Sequence, residues 1–125
     1  MRLPPAFDPI EVGEIDNFAF DFTADVGSAT ILSTTWTCAL APFQTATDPM
    51  PQARILATAS EVMIQTRSPR DGSLLTKTGL FSVATIGGMP ASAVGATYIL
   101  EAVVTASEGR VLKLNSTVLC VPPGV

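Results

Sequence analysis

The chain has 125 residues, 47% of them apolar and 14% charged, with a mean hydropathy of +0.42. That length suits one domain with a real core and excludes two ordinary ones; the composition excludes a disordered chain, and the charge content falls short of the roughly 25% usual for soluble domains, so part of the surface is expected to be covered. Net charge is −4 with no histidine and two cysteines, which excludes imidazole-based triads and the usual zinc sites, while the seven basic residues are scattered and form no cluster of the kind nucleic acid requires.

The opening Met1-Arg2-Leu3-Pro4-Pro5 lacks the pattern of a secretory signal, and no apolar run reaches the roughly 18 residues of a membrane helix, so the expectation is a cytosolic product that spans no bilayer. Pro4, Pro5 and Pro9 remove backbone donors and predict an extended N-terminal arm over residues 1–13. Six of the eleven acids, Asp8, Glu11, Glu14, Asp16, Asp21 and Asp25, lie in the first 25 residues against Arg2 alone. Three readings stay open for this acidic end: a solvated arm, a surface that docks on a basic patch of a partner, or a cation site.

Phe18, Phe20 and Phe22 alternate with Ala19 and Asp21, which predicts a strand with three aromatics on its buried face. A second strand is expected over Ile31 to Leu40, with Thr34, Trp36, Cys38 and Leu40 on one side. Pro42, Pro49 and Pro51 mark residues 41–52 as a long surface loop. Between Arg54 and Thr66 both helical and strand periodicities can be traced; the surrounding β pattern favours strands with a break near Ser60. Ser68-Pro69-Arg70-Asp71-Gly72 predicts a turn with flanking strands, a short one over Leu74 to Thr78 and another over Leu80 to Ile86 ended by Gly87-Gly88. Thr97 to Thr105 alternates cleanly, with Tyr98, Leu100, Ala102 and Val104 inward and Glu101 outward. The last strand, Val111 to Val121, turns Leu112, Leu114, Val118 and Cys120 to the core, and Pro122-Pro123 stops further pairing. Tyr98, near the start of its strand, is either an ordinary core tyrosine or a hydrogen-bonded corner to upstream backbone.

Six to eight strands with regularly spaced turns predict an all-β, immunoglobulin-like antiparallel sandwich over residues 14–121, with extended arms at 1–13 and 122–125. Cys38 and Cys120 sit far from any ligand or redox spacing, and a reducing compartment favours free thiols, with a bridge open only if the fold brings their strands together.

Four segments together resemble a family of small tailed-bacteriophage virion proteins, the immunoglobulin-like fibre-tail adaptors. They are Phe20-Asp21-Phe22, Ser33-Thr34-Thr35-Trp36, Gly87-Gly88 with Gly95-Ala96-Thr97-Tyr98, and Thr105-Ala106-Ser107-Glu108-Gly109-Arg110. The resemblance implies a structural part of a virion, assembled in the host cytoplasm, that attaches fibres at the neck or tail or decorates the head. Its partners would be other virion proteins (connector, tail, fibre or capsid subunits) in a symmetric multi-copy assembly, with no enzyme activity, cofactor or metal and no nucleic acid or membrane. Candidate partner contacts are Asp8, Ile10, Glu11 and Val12 of the arm, Phe43 and Met50 of the loop, and Val121 of the tail. Two other function classes are weighed against this reading. A carbohydrate-binding adhesin needs exposed aromatic platforms, whereas most rings here hold periodic core positions. A carboxylate-based hydrolase needs Asp21, Asp25, Glu61 and Glu101 to converge in pairs, which nothing in their spacing requires.

Overall fold

The computed structural model describes residues 1–68 and 70–124. These form seven strands: β1 (Ile10–Glu11), β2 (Ile15–Asp21), β3 (Ile31–Leu40), β4 (Ile55–Arg67), β5 (Leu74–Gly87), β6 (Thr97–Ala106) and β7 (Val111–Val121). One helical turn, α1 (Thr23–Val26), links β2 to β3. The strands build two packed sheets, one in the order β1-β7-β6-β3 and the other β2-β5-β4. The molecule is an all-β sandwich, as the period-two alternation predicts. All neighbours are antiparallel except β1, which runs parallel to β7 with Ile10 beside Cys120.

The intersheet core is the set of inward positions. Phe18, Phe20 and Phe22 of β2 and its end meet Trp36 of β3 and Tyr98, Leu100, Ala102 and Val104 of β6, all essentially without solvent contact. Phe20 lies 5.1 Å from Trp36 between ring centres. Burial of each large side chain stabilises the fold by about 1.5–3 kcal/mol. The indole Nε1–H of Trp36 donates to Ser82 Oγ at 2.7 Å, and the Thr34 hydroxyl bonds the same oxygen, so the polar atoms facing this core are satisfied.

Several expectations are corrected by packing. Residues 1–13 are extended only in part, with bends at residues 4–6 and a turn at Val12-Gly13, and they lie along the sandwich instead of projecting from it. Phe7 is buried with its ring edge-on to Phe18 at 4.9 Å and Phe20 at 5.4 Å, and Ile10 is fully buried. Earlier still, Arg2 bridges the free edge of β2, donating its N–H to the Asn17 carbonyl and accepting from Ala19 N–H. Residues 54–66 contain no break at Ser60; β4 is continuous, and its register shifts between Glu61 and Met63, a bulge that keeps Ile64 on a buried face. The two strands expected within residues 74–86 are one, because β4 pairs with β5 on both sides of Gly79 and Leu80, where the register shifts. Of the expected turn at 68–72, Pro69 lies outside the described residues. Asp71 accepts from both the N–H and the hydroxyl of Ser73, which pulls its carboxyl below the ordinary range. Val125 of the tail also lies outside the described residues.

Candidate functional site

Antiparallel register gathers one set of strand ends and loops. Leu40 ends β3 opposite Tyr98 at the start of β6, which in turn faces Val118 near the end of β7. Loop 41–50, the segment after β5, and the ends of β1 and β7 therefore share one pole of the sandwich.

The loop is held there by backbone-like contacts. Gln44 Oε1 accepts from Thr97 N–H at 2.5 Å, and its Nε2 donates to the carbonyls of Ala41 at 2.6 Å and Thr97 at 3.0 Å. Thr47 donates its N–H to Ser92 and accepts from the Ser92 hydroxyl, both at 2.9 Å. Asp48 is buried, its carboxylate accepting from the Tyr98 hydroxyl at 2.7 Å and from Met50 N–H at 3.0 Å. Tyr98 thus forms its corner with a loop carboxylate, not with upstream backbone. Arg54 Nε stands 3.2 Å from the same carboxylate but is not aligned to donate, so this is a charge contact, while another arm of the guanidinium donates to the Gly88 carbonyl. Burial, reinforced by the Asp48 carboxylate and opposed by Arg54, pushes the nearby Cys38 thiol up to about 12. Burial followed by the Asp48 contact raises the Tyr98 hydroxyl as well.

Against this anchoring, Phe43 stands apart. It is fully exposed, at 104% of its reference area, and its φ of +63° is the sole left-handed value on a residue other than glycine among the described residues. A bulky side chain in that region costs about 1–2 kcal/mol, and full exposure returns no packing. Met50 is 65% exposed at the far end of the same loop.

The other expected contacts divide. Asp8 is exposed. Ile10 is turned entirely into the core and offers no surface, a correction that follows from its pairing with β7. Val12 is half-buried and packed against the core. Glu11 and Val121 are half-buried and paired with each other across the β1–β7 ladder, and Glu11 also accepts from Gly124 N–H at 2.9 Å, which ties the tail down. With Arg2, Pro9 and Glu14 they line a shallow depression at this pole. The acidic end is partly neutralised from within, since Arg2 bridges Glu14 at 2.7 Å and Asp16 at 3.1 Å, with its guanidinium 5.2 Å from the centre of the Phe18 ring.

Asp21 and Glu61 both lie beside Phe81 but on opposite flanks of β5, about 10 Å apart by strand spacing, and Glu101 lies on the other sheet. Asp21, Glu61 and Glu101 therefore do not converge, and among the described residues no three acids or cysteines stand close enough to hold a metal ion. No helix among them is long and apolar enough to cross a membrane. Of the rings that could form a sugar platform, Phe43 is exposed, whereas Trp36, Tyr98 and the remaining phenylalanines are buried.

The anchor at Asp48 escapes a sequence reading because a lone acid between threonine and proline looks solvated. The only signal that hints at it is Tyr98 at a strand start, whose hydroxyl needs a partner. Comparison of the chain with family models, curated proteins and solved structures finds no match.

Proposed function

We propose that the chain is a non-enzymatic structural module of a tailed-phage virion, joining or attaching fibres at the neck or tail through the pole that bears Phe43. The strand order supports the immunoglobulin-like part of this reading: a short first strand beside the last, then β6 and β3, faces β2-β5-β4. The segments that resemble the fibre-tail adaptors support the virion part.

The observation that carries the functional reading is Phe43. Backbone strain and complete exposure on a loop anchored by Gln44, Thr47 and Asp48 are costs without return inside the chain. Such costs are retained where a partner receives the side chain. A rigid loop presenting one aromatic knob suits assembly on another virion protein better than sugar stacking, which uses broader aromatic surfaces.

Immunogold labelling of purified virions with antibody to this chain tests the reading. Gold at the neck or tail is the expected result; gold over the head favours a capsid-decoration role instead, and unlabelled particles overturn the proposal.

A further inference from the structure

A sandwich has four sheet edges, and in this molecule they are treated differently. The edge of β7 is covered from Thr117 onward by residues 7–12, and its uncovered part carries Lys113, a charge that discourages strand addition. The edge of β2 is bridged by the Arg2 backbone. The edge of β3 is occupied by the Gln52 amide, which accepts from Cys38 N–H and donates to the Trp36 carbonyl, both at 3.0 Å. Among the described residues, none covers the edge of β4 in this way.

Hydrogen-bond parity identifies its free groups. Ser68 N–H donates to the Ser73 carbonyl, and with the register Thr66–Leu75 and Ile64–Lys77 this directs the even residues of 64–68 toward β5. The N–H and C=O of Met63, Gln65 and Arg67 therefore point away from the sheet, and among the described residues no hydrogen bond reaches them. β2 pairs with β5 only from Phe81 onward, so this stretch belongs to a two-stranded ribbon. Such ribbons are marginal alone in water. Here the ribbon exposes Val62, Met63, Leu74 and Leu75 at 44–69% and contains no proline among its described strand residues.

We propose that the occupant of this edge is a second copy of the chain, paired antiparallel through residues 62–67 so that two β2-β5-β4 sheets become one continuous six-stranded sheet. The charges favour that occupant and that direction. The segment is acidic at one end, at Glu61, and basic at the other, at Arg67, with Arg70 beyond it in the turn. An antiparallel copy sets each acidic end against a basic one, twice by symmetry, whereas a parallel copy sets like against like. The proposal is independent of whether the module belongs to a virion.

Analytical ultracentrifugation between about 1 µM and about 1 mM, a range in which weak self-association is measurable, is the primary test. The full chain is expected to pass from monomer to dimer. Hydrogen exchange at the Met63, Gln65 and Arg67 amides is expected to slow with concentration while amides of β6 stay unchanged. Gln65→Pro removes an outward donor without touching the bonds to β5, a placement that edge strands tolerate, and is expected to weaken the dimer at least about tenfold, since each copy loses one backbone donor and the proline rings block approach. Gln65→Ala keeps the backbone and is expected to retain the dimer. A chain that stays monomeric throughout, exchange at those three amides that ignores concentration, or a Gln65→Pro chain that keeps its Trp36 fluorescence and dimerises as before would each overturn the proposal.

Discussion

Phe43 and Asp48 lie five residues apart in one loop and do opposite work. Replacing a core aromatic with glycine destabilises a fold by several kcal/mol, but Phe43 touches nothing and sits at φ +63°. Phe43→Gly is therefore expected to leave urea stability unchanged or to raise it by up to about 1 kcal/mol, through relief of left-handed strain, while abolishing the proposed attachment. A large loss of stability would show that the ring packs within the chain and would remove the main support for the proposed role. Asp48 is the anchor, and Asp48→Ala leaves the Tyr98 hydroxyl and the Arg54 guanidinium facing a buried gap. Its expected cost is about 3 kcal/mol in chemical denaturation, the size typical of breaking a buried charge pair from one side. Nothing local in the sequence separates these two residues: both read as members of a proline-rich loop, and their roles depend on what β6 places beneath them.

Among the elements, the long strands were the most legible. The alternation in β2, β3, β6 and β7 forecasts which side chains turn inward, and Trp36, Cys38, Leu100 and Val104 are buried accordingly. The register shift between β4 and β5 and the fusion of two short strands into β5 were not legible, because both depend on the partner strand: β4 pairs with β5 on both sides of Gly79 and holds the two halves in one strand. The N-terminal segment is the clearest case. Its prolines predict extended backbone but say nothing of where it lies, and in the folded chain Phe7 and Ile10 complete the core. Deletion of residues 1–12 is thus expected to lower stability by about 3–6 kcal/mol, from two lost buried side chains alone. Thermal unfolding of the truncated chain measures this; a melting temperature equal to that of the full chain would mean the segment is a detachable arm after all.

For the whole molecule, the buried acids set a direction for pH. Cys38 is held protonated in the folded chain, its pKa moved from 9.0 to about 12. Above 9.0 the unfolded chain loses that proton first, so the unfolded state binds fewer protons and stability falls as pH rises toward about 12; below 9.0 the contribution is fully present. Tyr98 acts in the same sense above 10.0. The urea midpoint is expected to hold between about pH 7 and about pH 8.5 and to decline from about pH 9.5, with a shallower decline in Cys38→Ala. A flat profile into that range would contradict the buried placement of both groups. Neither cysteine can relieve its burial by bridging the other, because β6 separates β3 from β7 and two strand spacings, about 10 Å, exceed the roughly 7 Å that a disulfide spans. The sequence by itself determined the class of fold and the inward faces, since side-chain alternation follows from backbone geometry that each strand carries alone. It also determined the absence of imidazole chemistry. Tertiary structure alone decided which sheet edge stays open, where the first thirteen residues rest, and which loop residue is anchored and which is presented. Each of those is a property of a neighbour distant in the chain, and hydrogen-bond partners and burial exist only once the strands have met.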